Sequence, residues 1–151
     1  MQILPGQLDH PAVIHLLEAH LRDLGAITPA ESMHALDLSA LQADDICFWA
    51  AWIDGEVVGC GALRDLGDGH GELKSMRTAD THRGQGIGRA LLEHLLAQAR
   101  GRGFRQLWLE TGATGHFAAA HRLYARAGFA PCGPFADYAE DPHSVYMQLR
   151  L

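Results

Sequence analysis

One stretch, from Glu72 to Thr111, limits the fold more than any other. Glu72–Thr78 (ELKSMRT) has strand character, and the glycine-rich run Arg83-Gly84-Gln85-Gly86-Ile87-Gly88 follows. Residues 89–102 then place Leu91, Leu92, Leu95 and Leu96 at helical spacing and stop at Gly101–Gly103, before a second strand, Phe104–Thr111. The second strand is thus reached through a crossover helix and not a hairpin. Upstream, Ile46–Ile53 (ICFWAAWI) and the segment EVVGCGALRDL flank Asp54-Gly55, a hairpin turn, and Gly67-Asp68-Gly69 makes another. Downstream, residues 118–127 read as a helix closed by Gly128, and Phe129–Cys132 and Ser144–Leu149 as strands. Near the N-terminus, Asp9 is expected to cap a helix carrying Val13, Leu17, Leu21 and Leu24 and ending at Gly25. Residues 26–45 read as a loop with one short helix. The mixture of hairpins and crossovers predicts an α/β chain of the mixed (α+β) kind, not a doubly wound parallel sheet.

The length, 151 residues, suits one domain spanning 1–151. No apolar run is long enough to cross a bilayer, and the N-terminus lacks the basic flank of a signal peptide, so a cytoplasmic protein is expected. Cys47, Cys60 and Cys132 are far apart and form no CxxC pair, which fits reduced thiols. Ten His invite a metal, but His10, His15 and His20 are spaced by five, so no two share a helix face, and neither HxxxH nor HExxH occurs. No metal is expected.

The net charge of −6 argues against a general partner in nucleic acid or anionic membrane. The distribution is uneven. Residues 77–126 carry eight Arg against Asp80, Glu93 and Glu110, a net of +5, and the remainder carries −11. A basic middle suggests a local anionic ligand, and the acidic remainder suggests a cationic acceptor.

The glycine-rich run gives that anion a place. The first N–H groups of a helix lack internal partners and lie at the positive end of its dipole. Glycines at 84, 86 and 88 let a ligand approach the bare backbone, and Arg83 and Arg89 flank it, as a pyrophosphate requires. The dinucleotide pattern GxGxxG is not met, since the spacing is Gly84-x-Gly86-x-Gly88, and no acidic residue stands about 20 positions on. A nucleotide-dependent oxidoreductase is therefore disfavoured, and the Walker pattern is absent.

Arg83-x-x-Gly86-x-Gly88, between a strand and a Leu-rich helix, resembles the acetyl-CoA signature of the GCN5-related N-acetyltransferases, the GNAT superfamily. Leu123-Tyr124-Ala125-Arg126-Ala127-Gly128-Phe129 is similar to that family's LYxxxGF motif, and the element order agrees over the whole chain. The tail from Pro131 looks like a small bacterial branch. The resemblance implies a centrally splayed sheet of about seven strands flanked by about four helices, with acetyl-CoA as acyl donor. It implies that backbone groups of Arg83, Gly84, Gln85, Gly86, Ile87, Gly88 and Arg89 hold the pyrophosphate. The strand edge at Met76, Arg77 and Thr78 would pair with the pantetheine arm. Many members carry an Asn seven residues before the motif tyrosine; Phe117 stands there, so the turn at 112–117 should differ. Dimers are common in the family, and a homodimer is left open.

Transfer to an amine needs the amine neutral, and holding a lysine-like amine deprotonated at neutral pH costs about 4–5 kcal/mol. A carboxylate can take that proton. Glu72 is the first candidate. It lies eleven residues before Arg83, where the histone-acetylating branch of the family places its glutamate, and strand alternation would put Glu72, Lys74 and Met76 on one face. Glu110 is the reserve base, and a Glu72 merely paired with Lys74 is the alternative. Tyr124 is the candidate to protonate the departing thiolate, or else a tyrosine filling the core. Ser32, His34, Glu110, Asp137 and Tyr138 are candidates for the acceptor pocket. The reading is N-acetyl transfer to a primary amine of a small molecule or peptide by direct attack in a ternary complex. A non-catalytic acyl-CoA sensing module is the alternative.

Overall fold

A computed structural model describes residues 1–151. Seven strands form one sheet: β1 (Gln2–Pro5), β2 (Ile46–Ile53), β3 (Glu56–Gly67), β4 (His70–Thr78), β5 (Gln106–Gly112), β6 (Ala130–Cys132) and β7 (Ser144–Arg150). Their spatial order is β1-β2-β3-β4-β5-β7-β6, antiparallel throughout except for the parallel pair β4–β5. That pair brackets α3, the crossover helix. Four helices cover it: α1 (Pro11–Ile27), α2 (Leu38–Leu41), α3 (Ile87–Gly101) and α4 (Ala118–Arg126).

The helices divide between the faces. On one, α1 and α2 bury Val13, Leu16, Leu17 and Leu41 against Phe48, Ala50, Cys60 and Ala62. On the other, Leu92, Leu95, Leu96 and Ala99 of α3 and Tyr124 of α4 pack on Leu63, Leu73, Leu107, Leu109 and Met147. The leucines at helical spacing in α3 are all buried, so periodicity located the second core.

The first helix departs from expectation at both ends. His10, not Asp9, caps it, its Nδ1 accepting from the Ala12 N–H at 3.1 Å ahead of Pro11. Gly25 does not end it; the helix runs on to Ile27, because Gly25 keeps a helical backbone and no neighbour contests the next turn. The hairpin at Asp54-Gly55 is as read, with positive φ at both residues, 49° and 79°.

Close packing of α3 on the sheet depends on two β3 residues that lack side chains. A methyl group at Gly59 would lie 2.9 Å from the Arg77 carbonyl oxygen and 2.8 Å from Leu91 Cδ1. One at Gly61 would meet only side-chain ends, Leu95 Cδ1 at 2.7 Å and Met76 Sδ at 2.8 Å. A carbonyl held in a β-ladder cannot yield, whereas Met76 and Leu95 can turn. Gly59→Ala is expected to destabilise by about 3 kcal/mol and Gly61→Ala by about 1 kcal/mol, the range found for overpacked cores. Urea unfolding of the two variants checks the order.

Candidate active site

The parallel ladder between β4 and β5 is short. It runs from His70↔Gln106 to Leu73↔Leu109 and stops, although both strands continue, to Thr78 and Gly112. The cause lies in β4. Its register against β3 shifts between Cys60 and Ala62, and Ser75 takes φ 56°, a left-handed conformation unusual for a side-chain-bearing residue. The bulge is pinned by the Cys60 thiol, which donates to the Ser75 carbonyl at 3.2 Å. Burial pushes the pKa of that thiol up to about 12, so it keeps its proton. Beyond the bulge β4 leaves β5, and the splay implied by the resemblance is present.

The bulge also reverses the expected facing of one residue. Glu72 and Lys74 stand opposite Arg64 and Ala62 and share the α1 face. Met76 instead packs against the α3 core beside Gly61 and Leu95. The extra residue moves it across the sheet, so Glu72, Lys74 and Met76 do not share one face. Arg77 returns to the α1 side, where its guanidinium meets Asp23 Oδ2 at 2.7 Å and Asp80 Oδ1 at 3.5 Å. Thr78 Oγ1 lies toward α3, near Gly88.

At the splay a cleft opens that reaches both faces. Its lining includes Lys74, Ser75 and Met76 of β4, Glu110 and Thr111 of β5, Tyr124 of α4, His20 and Leu24 of α1, and His34 of the connecting loop. Glu110 enters from the α1 side and Tyr124 from the α4 side. Burial raises the Glu110 pKa, with Ser144, His34 and Lys74 pulling the other way. Burial first, and then the Glu110 charge, pushes the Tyr124 phenol up to about 12. Burial brings the His20 pKa down to about 4, so that imidazole is neutral at neutral pH.

Glu72 is placed differently. It is 1% exposed and its Oε2 accepts from Lys74 Nζ at 3.1 Å and from the Tyr138 hydroxyl at 2.6 Å. Lys74 Nζ also donates to Tyr138 Oη at 2.9 Å and to the His34 carbonyl at 3.3 Å. All three ammonium hydrogens are thereby engaged. Burial and the neighbouring Glu72 charge raise the Tyr138 pKa, keeping the phenol protonated as the donor. Glu72 does not line the cleft, whereas Glu110 does. Of the acceptor-pocket candidates, Ser32, His34 and Glu110 line it, Tyr138 stands behind Lys74, and Asp137 is exposed. The contributions of His20, Thr111 and His143 were not foreseen; His20 had been weighed only as a metal ligand. Phe117 lies against Gly112, where any Cβ would clash with its ring, and this fixes the turn that carries it to the cleft.

The glycine-rich run is the second half of the site. Gly84 and Gly86 have φ 75° and 81°, and a Cβ on either would meet nothing within 4 Å. The main-chain N–H groups of Gly84, Gln85 and Gly86 find no acceptor in the protein, and Gly86 caps α3 without a side-chain bond. Side chains flank this row instead of filling it: Arg83 pairs with Asp80 at 2.7 Å and Arg89 with Glu93 at 3.0 Å.

The family model for the acetyltransferase (GNAT) family matches residues 13–129, a span holding the run, the splay and Tyr124. The chain belongs to the GNAT acetyltransferase family. This acetyltransferase is 44% identical over 151 residues to the uncharacterized N-acetyltransferase YsnE of Bacillus subtilis, covering all of both chains. It is 46% identical over 141 residues to the IAA acetyltransferase of Azospirillum brasilense, covering 93% of this chain and 91% of that one. A solved structure from Klebsiella pneumoniae, provisionally named an acyl-CoA N-acyltransferase, superposes with a TM-score of 0.81 at 35% identity, covering 99% and 97% of the chains. No helix of the acetyltransferase is long and apolar enough to cross a membrane.

The two glutamates should separate in stability. Glu72→Gln leaves the Lys74 ammonium buried without its counter-charge, which costs about 3–5 kcal/mol. Glu110→Gln removes a carboxylate whose burial already disfavours its charge, so the folded state keeps its stability at neutral pH. Thermal and urea unfolding of both variants at neutral pH checks this.

Proposed function

We propose that this acetyltransferase moves an acetyl group from acetyl-CoA to a primary amine by direct attack in a ternary complex, with Glu110 as general base and Tyr124 as general acid. The observation that carries the reading is the meeting of Glu110 and Tyr124, from opposite faces, in the gap where β4 and β5 separate. Family membership and relatives named acetyltransferases support it. The free row of N–H groups and the open space over Gly84 and Gly86 suit a pyrophosphate, and β4 beyond Leu73, at Met76, Arg77 and Thr78, has an edge unpaired by β5 that suits the amides of the pantetheine arm.

Acetyl-CoA supplies a thioester carbonyl and a sulfur leaving group. Glu110 takes the proton from the attacking nitrogen as the C–N bond forms. Tyr124 gives its phenolic proton to the sulfur as the C–S bond breaks. The products are the amide and the free thiol, and the proton gathered by Glu110 restores the phenol through the cleft or solvent. Glu110 is preferred to Glu72 because Glu72 is enclosed by Lys74 and Tyr138. The raised Glu110 pKa makes it a better proton acceptor than an exposed carboxylate. The sensing-module alternative gains no support from a site that brings these two groups together.

The pH profile follows from the direction of that shift. As a base Glu110 must be ionised, so kcat/KM rises with pH through a midpoint above the ordinary carboxylate value and then levels. Glu110→Gln is expected to remove that limb and lower kcat by about 10²–10⁴-fold, the span of general-base catalysis. Thiol release followed against pH measures both; an unchanged profile in the variant overturns the assignment. At the coenzyme end, Gly86→Ala forces a left-handed φ on a residue bearing a Cβ and places a methyl over the N–H row. Its coenzyme A affinity, read by calorimetry, should fall about tenfold or more, the loss of one charge-assisted hydrogen bond.

A further inference from the structure

The acceptor cleft contradicts the charge of the chain as a whole. The acidic remainder outside residues 77–126 suggested a cationic acceptor, yet the lining offers a single carboxylate, Glu110, and beside it a lysine, Lys74, that is 8% exposed. Lys74 is near enough to affect the Glu110 titration, as is His34. Lys74 is balanced by Glu72, so Glu110 is the one unpaired charge of the lining and suits a single amine. The cavity holds about 140 Å³, below the roughly 300–1,000 Å³ of clefts that take drug-sized ligands. Both facts weigh against polyamines and multi-ring amines.

The Lys74 side of the cleft also holds polar atoms that the fold leaves unused. His34 Nε2 and Ser75 Oγ are buried and have no hydrogen-bond partner. Both residues line the cleft, and the two flank Lys74, Ser75 as its sequence neighbour and His34 through the carbonyl that Lys74 holds. Unpaired buried donors cost free energy unless a ligand satisfies them. Two other charges face this side: Glu72, engaged by Lys74 and Tyr138, and Asp141, whose carboxyl the Ser32 hydroxyl and then the His143 N–H hold below the usual range. Neither lines the cleft.

We propose that the acceptor is a small zwitterion of the amino acid type, its amine directed to Glu110 and its carboxylate to Ser75 Oγ and His34 Nε2, beside the closed Lys74–Glu72 pair. The one unpaired carboxylate and the two unpaired polar atoms of the lining match the two ends of such a molecule. The inference rests on the transferase reading above and names the substrate class of that same site.

The experiment is a thiol-release panel with acetyl-CoA and the full chain. It contains free amino acids, the primary amide and the decarboxylated amine of each, spermidine, and an aminoglycoside. The expected result is turnover of at least one free amino acid with kcat/KM about tenfold or more above its amide and its amine, the worth of one hydrogen bond to a charged group. His34→Ala should raise the KM for the acid and narrow the acid-to-amide ratio toward unity, and His34→Gln, which keeps a donor, should restore part of it. Far-ultraviolet circular dichroism of both variants establishes that they are folded. Spermidine, an aminoglycoside, an amide or a simple amine outpacing every acid overturns the proposal and leaves acetyl transfer standing. Coenzyme A binding by calorimetry with no thiol release from any member overturns the transferase reading, and this proposal with it.

Discussion

The end of hydrogen bonding between β4 and β5 after Leu73↔Leu109 is the constraint on which the rest of the site depends. A continuous sheet is a wall, with side chains of alternate residues assigned to opposite faces. Once the ladder stops, groups from both faces share one space, and Glu110 can meet Tyr124 although their elements pack on opposite sides. The cause is a single extra residue. Ser75 adopts a backbone conformation that costs of the order of 1–2 kcal/mol for a residue with a Cβ, and Cys60, itself kept protonated by burial, holds it there. The surrounding hydrophobic layers, built from α3 on one side and α1 on the other, over-determine the position of β4 and make the strain tolerable.

The charges are distributed along the same division. Glu72 and Lys74 form the one ion pair in which both side chains are buried; they neutralise each other and bind Tyr138 and the His34 carbonyl. Three segments distant in sequence are thus tied at one ammonium: β4, the loop after α1, and the chain before β7. These are walls of the cleft, so the ion pair shapes the pocket, with Lys74 in its lining and Glu72 behind. A second network, Asp23–Arg77–Asp80–Arg83, runs from α1 through β4 to the glycine-rich run. Its members near the surface are exposed, and salt screens them.

Much of this architecture was legible in the sequence, and the reason is periodicity. The leucines of α3, the β-branched and aromatic run of β2, and Asp54-Gly55 each encode local geometry, so element order and the mixed character of the sheet could be read directly. Glycines at 84 and 86 were equally informative, because positive φ and the absence of side chains are properties of the residue type. What failed depended on tertiary context. Gly25 looked like a helix stop but is tolerated inside α1. Met76 looked aligned with Glu72, but a bulge initiated at a serine leaves no mark in composition. Glu72 looked available because strand spacing says nothing about Tyr138, 66 residues away, closing over it. The charge inferred for the acceptor is of a different kind: a net value averages over surfaces that the cleft does not use.

The pairing of Glu110 with Tyr124 has a consequence for the timing of proton transfer in the proposed roles. At rest, burial and the Glu110 charge together hold the phenol at about 12, too weak an acid to lose its proton idly. When Glu110 takes the proton of the attacking amine, its charge disappears and with it the repulsion that opposes a tyrosinate. Tyr124 therefore becomes a stronger acid at the stage when sulfur needs a proton, and not before. The reverse coupling works in the same direction, since a phenol that has donated its proton to sulfur discourages ionisation of Glu110 until the phenol is restored. Two groups that each appear mistuned in isolation, a carboxyl pushed up and a phenol pushed up, are matched once their mutual field is included, and the splay that joins the two faces of the sheet is what brings them within that field.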